Sequence, residues 1–100
     1  MTFTERVYEE LKKVPKGKVT TYKLLAEKLG TKAYRAVGSA LKNNPYAPEV
    51  PCHRVVKSSG KIGGFMGKMN GEEVAKKIVL LRNEGVEILG GKVNLEKFLA

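Results

Sequence analysis

Apolar residues recur at intervals of three and four along the opening stretch MTFTERVYEELKKVP, at Phe3, Val7, Leu11 and Val14. This is one face of a helical period. Thr2 and Glu5 supply the T-x-x-E pattern of a capping box, so a helix is expected to open there. Pro15 and Gly17 end it. Val19 and Thr20 form a short extended piece. Thr21 caps a second helix whose buried stripe is Leu24, Leu25 and Leu29, with Gly30 as its stop. Thr31 is placed to cap a third, running from about Lys32 to Asn43, with Val37 and Leu41 toward the core. The other face of that helix is small throughout: Ala36, Gly38, Ser39 and Ala40. A glycine within a helix costs about 1 kcal/mol relative to alanine, and is tolerated where another backbone approaches closely.

Asn44-Pro45 stops the third helix, and residues 45 to 51, with three prolines, are expected to run as an extended loop. Val55-Val56 is a short strand. SSGKIGG, rich in turn residues, is a candidate wing. Asn70 and Glu73 open a last strong helix with Val74, Ile78 and Leu81 as its stripe, widened by Ala75 and Leu80 and closed by Asn83-Glu84-Gly85. VEILGGKVNL then reads as two strands around Gly90-Gly91, a hairpin signal. The predicted class is mainly α with small β elements. Two short helices joined at a Gly-Thr turn fit either a helix-turn-helix or an ordinary helical hairpin.

One hundred residues suit a single domain spanning 1–100. One cysteine excludes an internal disulfide, which favours a reducing compartment. The start carries no signal peptide pattern and no apolar run reaches the length of a membrane span, so a cytoplasmic protein without a membrane partner is expected. Charge changes the picture. The net charge is +9, and between Leu11 and Lys68 there are 13 basic residues against only Glu27 and Glu49, a net of +11. A basic middle on a small domain points to a polyanion, most simply nucleic acid; a lysine-rich solvated surface is the alternative.

The only cysteine and the only histidine are adjacent, in PEVPCHRVVKSSG. A cysteine attacks only as thiolate. His53 is placed to act as its base, directly or through a water, and Arg54 adds positive charge. A third group usually orients such an imidazole, and Glu84, just before Gly85, is best placed among the carboxylates. Adjacent residues in a strand face opposite ways, so either Pro51 begins a tight turn that brings both side chains inward or a water bridges them. The competing reading is a buried structural cysteine beside a packing histidine. One cysteine and one histidine make only half of a usual four-ligand metal site, so no metal is expected.

PCHRVV resembles the alkyl-acceptor motif of the O6-alkylguanine-DNA alkyltransferases. GKVTTYKLLAEKLG resembles the first helix of that family's helix-turn-helix, RAVGSALKNNP its recognition helix and stop, SSG-x-x-GG-x-x-G the loop after the cysteine, and LLRNEG the closing helix. The likeness runs from about Phe3 to Glu87. It implies a winged-helix-like helix-turn-helix domain, DNA repair, and a single, stoichiometric transfer of an alkyl group from guanine O6 in duplex DNA to Cys52 after base flipping. That is the activity of a methylated-DNA–protein-cysteine S-methyltransferase, and it needs no cofactor.

The resemblance also implies roles. Cys52 is the acceptor, His53 its base, Glu84 the carboxylate behind the histidine, and Asn44 the brace of the turn. Tyr22 crowds the target phosphate, and Arg35 is the finger filling the gap in the base stack. Ala36, Gly38 and Ser39 form a slim surface for the minor groove, and Arg54 is an added DNA contact. Tyr22, Val55, Phe65, Met66 and Gly67 line the base pocket. Phe65 stands where many members have tyrosine, and Met66 where serine is frequent. The partner implied is double-stranded DNA, bound by a monomer. The extra N-terminal domain of longer members, which binds zinc in some, is expected to be absent. The non-catalytic alkyltransferase-like damage sensors share this size but usually carry tryptophan or alanine at the cysteine position. A winged-helix transcription factor would give no reason for the placement of Cys52, His53 and Glu84.

Overall fold

The computed structural model describes residues 1–47, 49–64 and 71–100. The chain forms α1 (Phe3–Lys12), β1 (Thr20–Thr21), α2 (Tyr22–Lys28), α3 (Tyr34–Lys42), a 3₁₀ turn at Cys52–Arg54, β2 (Val55–Val56), α4 (Glu72–Asn83), β3 (Ile88–Leu89), β4 (Lys92–Val93) and α5 (Leu95–Phe98). The α1 capping box is present in full: Glu5 N–H donates to Thr2 Oγ1 at 3.1 Å, and Thr2 N–H donates to Glu5 Oε1 at 3.2 Å. Thr21 caps α2 by accepting from Leu24 N–H. At the other end Gly30 takes φ +68°, which lets Thr31 N–H reach Ala26 O and Gly30 N–H reach Glu27 O. Those two bonds satisfy the carbonyls that a helix end leaves open.

The third helix departs from expectation. It starts at Tyr34, with Ala33 in the cap position and no side-chain cap. Thr31 Oγ1 accepts from Ala33 N–H instead, closing a short turn that delays the helix by two residues. Ala40 does not belong to the outward small face. It is buried, and its carbonyl accepts the Tyr8 hydroxyl at 2.8 Å. Ala36 and Ser39 are exposed and Gly38 half-buried. In α2 the inward positions are Leu25, Ala26 and Leu29, with Leu24 only half-buried. Residues 45 to 47 and 49 to 50 are not extended: they turn, with Val50 N–H bonded to Tyr46 O at 3.0 Å.

Two apolar clusters hold the chain. The larger unites α1, α2 and α3 with Val50, Cys52 and Val55. The smaller gathers Val19, Val56, Ile62, Leu81, Val86, Ile88, Val93 and Phe98. Between them lies a parallel pair, β1 with β2, in the register Thr20 to Val55 and Thr21 to Val56. Neighbouring strand residues face opposite ways, so Val55 enters the first cluster and Val56 the second.

The hairpin read from Gly90-Gly91 is present, β3 antiparallel to β4. The SSGKIGG ribbon is bonded to it: Val93 N–H donates to Gly60 O and Ile62 N–H to Gly91 O. A Cβ at Gly60 would stand 2.6 Å from Val93 O, so only glycine permits this approach. The single turn α5, which the apolar pattern did not announce, brings the last residues back to Val19, whose N–H donates to Phe98 O and whose O accepts from Ala100 N–H, both at 2.8 Å. The helix α4 begins at Glu72 with Gly71 in its cap position. The expected opening at Asn70 lies outside the described residues, and Ala75 faces solvent rather than the stripe. No described helix is long and apolar enough to cross a membrane.

Candidate active site

Pro51 starts the turn that the Cys-His pair requires. Arg54 N–H donates to Pro51 O at 2.9 Å, closing one 3₁₀ turn over Cys52–Arg54. Both side chains go inward: Cys52 is 5 % and His53 2 % exposed. Asn44 fixes the approach to this turn from α3. Its Nδ2 donates to Val50 O at 2.8 Å and its Oδ1 accepts from Tyr46 N–H at 2.9 Å, and it also hydrogen-bonds toward the Cys52 sulfur.

Behind the turn stands Glu84, at the C-terminal end of α4. Its Oε1 lies 3.1 Å from His53 Nε2. That is ion-pair distance, but the ring N–H points off the line of an aligned hydrogen bond. The same carboxylate accepts two bonds from Arg54, at 2.9 Å from Nε and 2.6 Å from Nη2. Arg54 Nη1 donates to Val14 O at 2.8 Å. This fork-to-carboxylate arrangement fixes Glu84 in two directions. The expectation that Arg54 reaches DNA is therefore not met by its placement: its side chain is 15 % exposed and committed to Glu84 and α1. Val55 likewise is not pocket lining but fully buried core.

The electrostatics follow from burial. Desolvation pushes the Cys52 thiol above its ordinary value, against opposing effects from Asn44, from the charge of Lys77 and from backbone N–H groups. Arg54 does not supply the lowering expected of it, because its charge is matched by Glu84. Burial lowers the His53 pKa despite the pull of Glu84, so the imidazole is neutral at neutral pH. Burial raises the pKa of Glu84, but its two bonds from Arg54 and the nearness of His53 outweigh that and bring the net value below the usual carboxylate. The result is a protected thiol and a neutral imidazole on one short turn, with a fixed carboxylate brought behind them by the end of α4.

Tyr22 opens α2, half-buried, with its ring beside Gly63. Its phenol is pushed up, first by burial and then by the nearness of Cys52, so it stays a donor. Arg35, Ala36 and Ser39 lie exposed on α3, away from the core side of that helix. Phe65, Met66 and Gly67 lie outside the described residues. Among those described, no three His, Cys, Asp or Glu side chains converge to hold a metal ion.

One residue of the site was missed from sequence. Lys77 is 0 % exposed, and its Nζ donates to Val55 O at 2.7 Å, Ile62 O at 2.6 Å and Gly64 O at 3.0 Å. The signal was there: position 77 falls in the inward arc of α4, at i+3 from Val74, where a lysine has no business unless bonded.

A helix pair that presents a small-residue face, a ribbon beside it, and a buried Cys-His turn backed by a carboxylate fit a DNA-binding domain. The family described as "6-O-methylguanine DNA methyltransferase, DNA binding domain" matches residues 2–86, and the chain belongs to it. It is 44 % identical over 87 residues to a methylated-DNA–protein-cysteine methyltransferase of Sulfolobus acidocaldarius, covering 87 % of this chain and 53 % of that protein. It is 39 % identical over 94 residues to a bifunctional methyltransferase/endonuclease of Picrophilus torridus, covering 92 % and 30 %. The chain thus spans about half the length of the first of these relatives and under a third of the second. Among solved structures, S. pombe Atl1 in complex with damaged DNA containing O6-carboxymethylguanine superposes with a TM-score of 0.85 at 32 % identity, covering 98 % of this chain and 94 % of that one. Mycobacterium tuberculosis OGT in complex with DNA gives 0.73 at 39 % identity, covering 84 % and 50 %.

Proposed function

We propose that this protein binds duplex DNA through the minor groove, turns an O6-alkylated guanine out of the stack, and takes the alkyl group onto Cys52. The observation that carries this is the grouping of Cys52, His53 and Glu84, in which the buried thiol adjoins a neutral base 3.1 Å from a fixed carboxylate. With the Nε2 proton assigned to the Glu84 side, Nδ1 is left to accept, directly or through a water, the thiol proton. The sulfur then forms a bond to the alkyl carbon as the carbon–O6 bond breaks. The electron pair stays on the guanine, and the proton that His53 took from the thiol is returned, directly or through water, to neutralise it. A thioether is a poor leaving group, so one chain repairs one lesion.

The approach to DNA follows from α2 and α3. Among the described residues a Cβ at Gly38 would meet no atom beyond its own helix, and a slim outer face admitted to a narrow groove accounts for glycine there. Arg35 fills the vacated stack and Tyr22 presses on the phosphate beside it, offsetting part of the few kcal/mol that unstacking costs. Sequence-independent affinity comes from the basic middle, so binding to undamaged duplex is expected to fall steeply with added salt.

A second reading has its own support. The chain matches Atl1 over nearly the full length of both, whereas it spans only part of the methyltransferases. A non-catalytic alkylguanine sensor would bind the lesion and leave it in place. Intact-mass measurement after incubation with a duplex bearing O6-methylguanine separates the two. A single adduct of about 14 Da on Cys52 supports transfer; lesion-selective binding with no mass change supports the sensor.

A further inference from the structure

The exposed lysines of this chain fall into two kinds. Lys12, Lys13, Lys76 and Lys97 each stand beside a glutamate. Lys57, Lys61 and Lys92, on the ribbon, its approach and the hairpin, are exposed as well, and among the described residues none of them meets a carboxylate. Pro48 and residues 65–70 add no Asp or Glu to the chain.

The placement of these three is specific. Lys61 and Lys92 face each other across an antiparallel bridge between the ribbon and β4. Their neighbours Ile62 and Val93 are buried, so by alternation both lysines stand on the outer face. Like charges directly opposite on paired strands repel, so this pair works against the contact it sits on. Lys57 continues the row. Its N–H donates to Lys61 O at 2.9 Å. Its stem runs along Gly63, where a Cβ would stand 3.4 Å from Lys57 Cγ and 3.9 Å from Tyr22 Cε2. Gly63 is thus where the Lys57 stem and the Tyr22 ring come together. The row starts beside Tyr22 and ends on the hairpin.

We propose that Lys57, Lys61 and Lys92 form a phosphate-binding edge, which extends the DNA interface from Tyr22 along the ribbon and hairpin and holds the duplex on one side of the lesion. This rests on the duplex binding proposed above and not on the alkyl transfer. Lysines are flexible point charges. Set in a row instead of around a pocket, they suit a run of phosphates, and such contacts position the duplex without reading its sequence. Binding a polyanion removes the repulsion between Lys61 and Lys92 that the free protein carries. A fixed flank next to Tyr22 also gives the rotated nucleotide a stationary backbone to turn about. Lys92 lies outside the basic middle of the chain, and only the hairpin pairing brings it to this edge.

The test is the salt dependence of binding to a duplex bearing O6-methylguanine, read by fluorescence anisotropy. It compares the parent, Lys61→Gln/Lys92→Gln, and Lys76→Gln/Lys97→Gln as a control that removes the same charge. Each phosphate contact contributes about 0.9 to the slope of log K against log salt. The ribbon variant is expected to lose about two from that slope and the control none. Lys61→Arg/Lys92→Arg is expected to keep the parent slope. An unmoved slope in the ribbon variant, or an equal loss in the control, overturns the proposal. Trimming the duplex on one side of the lesion is expected to weaken the parent more than the ribbon variant; equal weakening of both by either trim also overturns it. A parent that binds the duplex without transfer counts against the Cys52 chemistry alone, and a parent that binds no duplex overturns both readings.

Discussion

The two apolar clusters are built on different principles. The larger is a three-helix body. Its buried residues recur at helical spacing, its helices α1 and α2 have side-chain caps, and Val7, Leu11, Leu25 and Val37 are almost entirely removed from water. The smaller, around Val56, Ile62, Leu81, Ile88 and Val93, is assembled from one face of α4, two-residue strands, a one-turn helix and a ribbon. Beyond the α4 stripe, backbone bonds between distant segments and the ammonium of Lys77 do there what periodic side chains do in the first. The difference teaches where the chemistry can sit. The helical body gives a rigid surface for a long ligand, while the acceptor turn belongs to the seam, where short segments from several parts of the chain are brought to one place.

The strongest way to break the comparison is at the seam itself. Cys52→Ala is expected to abolish alkyl transfer while leaving duplex affinity, read by fluorescence anisotropy, near the parent value, because it removes one small buried group and leaves the exposed face of α3 as it is. Retained transfer would refute the acceptor assignment. Next in size, Leu25→Ala in the helical core should cost about 3 kcal/mol in urea unfolding, against about 0.5 kcal/mol for Ile88→Val in the smaller cluster, the low end for a deletion of that size. Similar losses on a per-methylene basis would mean the two clusters are equally well packed.

A third prediction concerns acid. His53 and Glu84 both have native pKa values below their ordinary 6.5 and 4.5. Below those ordinary values the unfolded chain binds protons that the native chain resists, so stability falls as pH falls, first under 6.5 from His53 and then under 4.5 from Glu84. Thermal unfolding from pH 8 to 4 should show the midpoint declining in that order, and Glu84→Gln should flatten the lower part. Smallest of all, Thr21→Ala removes the α2 cap and is expected to cost about 1 kcal/mol, while Leu89→Ala, at an exposed hairpin position, should stay within about 0.5 kcal/mol of the parent.

The same division governs what could be read in the sequence. α1 and α2 were legible because period and cap agree at Thr2, Glu5 and Thr21, and the hairpin because Gly90-Gly91 sits between two apolar pairs. Cys52, His53 and Glu84 were legible because the first two are adjacent and the third ends a helix. The β1–β2 pair was not legible, since strands of two residues carry no period and their pairing is decided 35 positions away. Thr31 misled because its hydroxyl closes a turn at Ala33 instead of a helix. Arg54 looked like a surface cation because nothing local announces that Glu84 and Val14 O will claim it. Lys77 was passed over although its inward position on α4 spoke for it, and its partners could not be named because they are carbonyls, which every residue has.

The parallel pairing of Thr20 with Val55 also sets an order of assembly. It closes a long segment that contains α2 and α3 whole, and such closure loses chain entropy before it gains contacts. The helices within the segment rely on near neighbours and can form ahead of it. The acceptor turn, fastened to β2, takes shape only when the closure is made. Amide protection during refolding is therefore expected to appear in α1 and α2 before Val55 and Val56. A chain interrupted midway would carry a recognisable DNA-facing surface and a cysteine not yet buried, open to any electrophile in reach.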